Sequence, residues 1–134
     1  MTKAELAVEK HSRGYNCCQA VACAYAKELG MDEGTLYRVC EGFGAGMGTG
    51  FGICGALSGC AVLAGLVNSN GDIENAGQTK AQTTRLAGKM QRDFEERVGA
   101  IYCRDIKSGN DGRGLTSCAN CIAIAAEIAE ELFR

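Results

Sequence analysis

Tryptophan is absent and aromatic residues make up only 6% of the chain, which leaves little to stack on nucleic-acid bases. There is no basic run, the formal net charge is −2 and the pI is about 5.4. The sequence therefore lacks the positive footprint of a nucleic-acid partner or a membrane-surface helix. Its longest apolar stretch, 53–67 (ICGALSGCAVLAGLV), falls short of the roughly 20 residues that cross a bilayer, and it reads as a buried core helix rather than an inserted one. The single histidine, His11, lies at a polar helix end and is read as exposed, neither a ligand nor a base. With no CxxCH and no spare histidine, covalent c-type haem is excluded and other haem ligation is poorly served. Ser–His–Asp sets, paired carboxylates in a recognisable context and Walker loops are missing as well.

Cysteine is what the chain has in excess, with nine in 134 residues. The N-terminal stretch MTKAELAVEKHSRG is charged and helical in pattern rather than an apolar signal region. The expected location is the cytoplasm, where structural disulfides are disfavoured. An odd cysteine count also argues against a disulfide framework.

The periodicity predicts one domain over 1–134, an all-α bundle of about five helices with a glycine-rich loop before a buried core helix. Thr2 and Glu5 form a capping box for the first helix. Asn16 caps a second running from Cys17 to about Leu29, and Asp32 starts a short third. Between Gly42 and Gly52 glycine takes every second position, so no ordinary helix is expected there. The core helix follows from Cys54. Asp72 is expected to cap the longest helix, reaching about Val98; 107–114 is expected to be a mobile polar loop, and the last helix begins at Cys118. No convincing strand is found.

Several cysteines fall where helices begin. Cys17 follows Asn16, Cys54 joins the glycine loop to its helix, and Cys118 follows Ser117. Cys103 lies in a turn beside Arg104. A thiol at a helix start meets unpaired N–H groups and the positive end of the dipole, which favour thiolate, the form that attacks disulfides and binds metals. Cys23, Cys40 and Cys60 sit on apolar surroundings and read as core filling.

The segment Gly14-Tyr15-Asn16-Cys17-Cys18-Gln19-Ala20-Val21 resembles the GxNCxQAV segment of the C_GCAxxG_C_C family of redox-active proteins. Cys54-Gly55-Ala56-Leu57-Ser58-Gly59 is similar to that family's CGAxxG motif and follows a similar glycine-rich lead-in. Phe94-Glu95-Glu96-Arg97-Val98-Gly99 with Cys103 resembles the segment of the third family cysteine, and Cys118 best matches the fourth. The likeness runs along nearly the whole chain. It implies a redox class, with Cys17, Cys54, Cys103 and Cys118 as the matched positions. Cys18, Cys23, Cys40, Cys60 and Cys121 fall outside them.

Two chemistries compete for these residues. In the leading one, Cys17, Cys54, Cys103 and Cys118 gather on an iron–sulfur cluster or another thiophilic metal for electron transfer, while Gly44, Gly46, Gly48, Gly50, Gly52 and Gly55 supply a close backbone wall. In the alternative, Cys118 works as a thiol–disulfide nucleophile with Cys121, one turn inside, or with a distant family cysteine. A third reading is a helical interaction module whose cysteines only pack. Gly50-Phe51-Gly52-Ile53-Cys54-Gly55 also satisfies GxGxxG, with Asp72 and Glu74 at ribose-contact distance; lacking a preceding strand, it reads as helix-packing glycine rather than a nucleotide site. A redox partner is implied but unidentified, and the small-residue helical face would suit a homodimer.

Overall fold

The computed structural model describes residues 1–134, and the fold is all-α, its helices joined by turns and loops with no strands. Helix α1 (Lys3–Ser12) opens on the expected capping box, with Glu5 N–H donating to the Thr2 hydroxyl at 3.0 Å and Thr2 N–H to the Glu5 carboxylate at 2.8 Å. Helix α2 (Cys17–Cys23) is capped the same way by Asn16 and Gln19. It then breaks, where one helix to Leu29 was expected. Tyr25 leaves helical geometry there (φ −108, ψ 9). Its side chain is buried, stacked on Phe133 with its hydroxyl donating to the Ala126 carbonyl at 2.6 Å. Burying that ring against the C-terminal segment prevails over helix continuity. A short α3 (Ala26–Leu29) follows and ends at Gly30; α4 (Glu33–Cys40) is capped by Asp32.

The glycine-rich stretch becomes a tight turn over Gly44–Met47, with Ala45, Gly46 and Met47 all left-handed (φ 53, 59 and 60). Core helix α5 (Gly55–Asn68) comes next, as expected. The long helix, α6 (Lys80–Val98), begins later than the sequence implied. Asp72 caps only a 3-10 turn over Ile73–Asn75, Gly77 has φ +92, and Ile73 is 86% exposed. With no core beneath it, this segment has nothing to hold its apolar residues in register. Residues 103–108, expected as turn and loop, form a short helix α7 (Cys103–Ser108); α8 (Cys118–Ala129) ends the bundle with a 3-10 turn over Glu130–Phe133.

Packing is centred on α2, which lies across α5, while α8 packs on α1 and α5, and α6 closes the other side of α5. The crossing of α2 and α5 is very close because glycine allows it. A Cβ on Gly55 would stand 3.2 Å from the Cys17 Cβ and 3.0 Å from the Phe43 carbonyl oxygen; one on Gly59 would stand 3.0 Å from the Val21 Cβ and 3.1 Å from the Cys18 carbonyl oxygen. The two glycines of CGAxxG are thus the contact surface that lets α2 approach. No helix is long and apolar enough to cross a membrane.

Candidate thiol site

Four separate segments deliver cysteines to one end of this crossing. Cys17 is the first residue of α2. Cys54 immediately precedes α5, fixed by its N–H donating to the Ile101 carbonyl at 2.7 Å. Cys103 starts α7, where its N–H donates to the Gly52 carbonyl at 3.0 Å and that of Arg104 to the Gly50 carbonyl at 2.8 Å. An isolated antiparallel bridge between Ile53 and Tyr102 ties these two segments together. Cys118 starts α8 behind the Ser117 cap, with Cys121 one turn inside.

All five line a single cavity of about 40 Å³, room for little more than one or a few water-sized groups. The four sequence-predicted positions therefore converge, and Cys121, set aside in the family match, joins them. Exposure is graded: Cys118 is open to solvent and Cys17 half-buried, while Cys103 (8%), Cys54 (6%) and Cys121 (2%) lie inside. All nine cysteines are free thiols.

The expected glycine wall is only partly present. Gly46 and Gly55 border the cavity. Gly46 must be glycine: a Cβ there would lie 2.7 Å from the Cys103 Cβ, on a residue with φ +59. Gly44 presses instead on Asn16, Gly52 on the Gly46 backbone, and no atom stands within 4 Å of where a Cβ would sit on Gly48 or Gly50. Through their carbonyls Gly50 and Gly52 serve α7 as acceptors for its first N–H groups, and so they spend two of the unpaired donors that a thiolate at that helix start would have used.

Interaction with the neighbouring Cys121 thiol, with N–H groups of Ala56 and Leu57 and the nearby Lys107 ammonium, outweighs burial and brings Cys54 down to about 7. Cys121 is pushed up by the same interaction and by burial. Burial, with the neighbouring Cys54 and Cys118 sulfurs, raises Cys17 to about 12. The helix-start argument thus fails for Cys17, because desolvation and crowding among thiols exceed the dipole, and succeeds for Cys54, which the Ala56 and Leu57 N–H groups at the start of α5 help to hold down. Lys107 was hidden in the expected polar loop; it lines the cavity from the last turn of α7, four residues after Cys103, and only knowledge of that helix would have revealed it.

The other four cysteines, Cys18, Cys23, Cys40 and Cys60, are buried in the hydrophobic core and do not line the cavity. The Cys60 thiol donates to the Ala125 carbonyl at 3.2 Å. The GxGxxG match opens no βαβ unit, since Ile53 forms only the lone bridge and the Asp72 carboxylate accepts the N–H groups of Glu74 and Asn75. His11 hydrogen-bonds the Tyr15 carbonyl at 2.8 Å, away from the thiols. For a metal the donor chemistry is suitable, five soft sulfurs at one cavity, but no three Cys, His, Asp or Glu side chains are grouped so as to hold an ion.

Compared with known proteins, residues 15–132 match the family model described as "Putative redox-active protein (C_GCAxxG_C_C)". No curated protein and no solved structure matches the chain.

Proposed function

The chain belongs to the C_GCAxxG_C_C family of redox-active proteins, and from that premise we propose that its clustered cysteines form a dithiol–disulfide redox centre. One observation carries this reading: thiols from four distant segments line one cavity, Cys17 and Cys118 nearer solvent and Cys54 and Cys121 inside.

The chemistry follows from exposure. The Cys118 thiolate attacks one sulfur of an external disulfide, forming a mixed disulfide and expelling a thiolate that takes a proton from solvent. Cys17 then gives up its proton and attacks the Cys118 sulfur, which closes Cys17–Cys118 and releases the second thiol. Two electrons leave the protein and the external disulfide is reduced. The Cys54 thiolate, beside Cys17, attacks the Cys17 sulfur of that bridge and frees Cys118. Cys121 loses its proton and resolves the intermediate by closing Cys54–Cys121, which frees Cys17, so the outer pair is dithiol again. Cys118 is thus the entry thiol of the alternative read from the sequence, with the distant family cysteine Cys17 rather than Cys121 as its partner.

The test is peptide mapping by mass spectrometry after mild oxidation of the reduced protein. Cys17–Cys118 and Cys54–Cys121 are the expected bridges, and Cys118→Ser should abolish reduction of a small disulfide while the protein stays folded. Bridges distributed at random over the five thiols, or full activity in Cys118→Ser, would overturn the reading.

The sharing of one cavity by five sulfurs favours a second reading, an iron–sulfur cluster or thiophilic metal held by Cys17, Cys54, Cys103 and Cys118. A bound cluster would supply one-electron transfer. It requires the thiols to turn toward a common centre, since they are not grouped as ligands in this arrangement. Iron, sulfide and free-thiol counts after anaerobic reconstitution separate the two: stoichiometric iron and sulfide, lost in the four single serine variants, would replace the dithiol reading.

A further inference from the structure

We propose, resting on the dithiol reading, that the surface beside the thiol cavity selects this centre's substrate, a small disulfide that carries carboxylates. The thiol cavity, at about 40 Å³, admits a sulfur and its nearest atoms but no substrate body. Lys107 lines both that cavity and a neighbouring open groove of about 400 Å³, a size usual for small-molecule sites. One side of the groove is the glycine-rich stretch, at Thr49 and Phe51; the other is α7, at Arg104, Lys107 and Ser108. Because Lys107 borders both, a molecule seated in the groove lies next to the cavity where Cys118 and Cys17 react.

Every lysine, arginine, aspartate or glutamate lining either space is a cation, Lys107 in the cavity and Arg104 with Lys107 in the groove, although the chain as a whole carries a net charge of −2. The two lie three residues apart on α7 and so share a face. The Arg104 guanidinium stands 5.0 Å from the centroid of the Phe51 ring, which is 65% exposed. Its one acidic neighbour, Asp105, approaches Nε at 3.6 Å from an exposed position and leaves the terminal nitrogens without a carboxylate. Lys107 has no ion-pair partner. The walls are set in advance of binding. Arg104 N–H donates to the Gly50 carbonyl at 2.8 Å, Phe51 N–H to the Thr49 hydroxyl at 3.1 Å, and Leu115 N–H to the Ile106 carbonyl at 2.8 Å. Since the N–H groups of Cys103 and Arg104 are taken up in holding this shape, recognition falls to the side chains.

A disulfide with short methylene arms ending in carboxylates suits both parts. Its methylenes lie on the exposed Phe51 ring, a carboxylate meets the guanidinium and the ammonium, and one sulfur reaches Cys118. A neutral disulfide gains only the apolar contact, and a cationic one is repelled by both residues. The exchange balances as for the outer pair. The substrate S–S bond breaks, the Cys17–Cys118 bond forms, and the two thiol protons leave on two carboxylate-bearing thiols.

The test oxidises the full-length reduced protein with three small disulfides, anionic dithiodipropionate, neutral dithiodiethanol and cationic cystamine. Each second-order rate constant is divided by that of the same disulfide with a free neutral dithiol, which removes differences in leaving-group reactivity. The normalised constants should fall in the order given, with dithiodipropionate ahead of dithiodiethanol by about three- to ten-fold at low salt. That lead should shrink as sodium chloride is added. Arg104→Glu should invert the ratio of anionic to cationic rates, and Arg104→Lys should keep its direction; circular dichroism reports whether each variant folds. Equal normalised constants for the anionic and neutral disulfides, or a ratio that Arg104→Glu leaves unchanged, would overturn the groove while the dithiol centre stands. Failure to reduce any of the three would overturn the dithiol centre and the groove's role together.

Discussion

Cys54 and Cys17 have the same covalent chemistry and similar positions beside helix starts, yet they titrate in opposite directions. The difference lies in what each sulfur accepts. Cys54 is held down by the neighbouring Cys121 thiol and by the Ala56 and Leu57 N–H groups, whereas Cys17 meets mainly burial and other sulfurs. Cys54 alkylation should rise with a midpoint near pH 7. Cys121→Ala should move that midpoint up toward the ordinary 9, and further than Lys107→Met, because the neighbouring Cys121 thiol is the largest influence and the lysine charge the smallest. An unchanged midpoint in Cys121→Ala would refute the pairing. The same groups set how stability varies with alkaline pH. Cys54 sheds its proton near 7 when folded and near 9 when unfolded, so its contribution is complete above about pH 9 and is lost as pH falls through 7. Cys17, Cys23 and Cys60, raised to about 12 by burial, contribute fully below about pH 9, and that stability is lost as pH climbs toward 12. Chemical denaturation under reducing conditions should therefore show stability rising from about pH 7 to 9 and declining beyond. A monotonic fall across that range would contradict the low Cys54 value.

At the scale of elements, helix α5 contains three glycines with different duties. Gly55 and Gly59 face α2 with less than ordinary van der Waals room for a methyl group, while Gly65 has nothing within 4 Å. Alanine at Gly55 or Gly59 must push the helices apart and should cost about 1–3 kcal/mol. Alanine at Gly65 should stabilise by about 0.5–1 kcal/mol, since only helix propensity changes. Urea midpoints of the three variants check the ordering. Gly55→Ala also displaces Cys17, so it should disturb Cys17–Cys118 bridge formation more than Gly59→Ala does. Equal effects at all three positions would mean that the α2–α5 contact is not what the motif serves.

The whole molecule gathers the site, because Cys17, Cys54, Cys103 and Cys118 are separated by long stretches of chain and meet only when α2, α5, α7 and α8 are packed. Oxidation in concentrated urea should favour nearby pairs such as Cys17 with Cys23 or Cys118 with Cys121, for which loop closure is least costly. Native oxidation should favour Cys17–Cys118 and Cys54–Cys121. Mass-spectrometric mapping of both samples checks this, and the same bridge distribution in each would show that folding does not organise the thiols.

Much of this was legible in the sequence. The caps Thr2, Asn16 and Asp32 act as read, because a cap is a contact among residues three apart and needs no partner element. The all-α class, the core helix after Cys54 and the redox family were legible for similar reasons, from local period and local motif. The break at Tyr25, the late start of α6 and the helix at Cys103–Ser108 were not, because each depends on what is packed alongside. Tyr25 is drawn out of helix by Phe133 and Ala126, residues 73–79 find no core to cover, and α7 is held by carbonyls from the glycine turn. The sequence by itself determined which thiols exist and where helices would place them along the chain. Only the tertiary structure decided which sulfurs meet, that Cys121 and Lys107 join them, and which thiol is acidic, because hydrogen bonding and desolvation are set by neighbours brought from elsewhere in the chain.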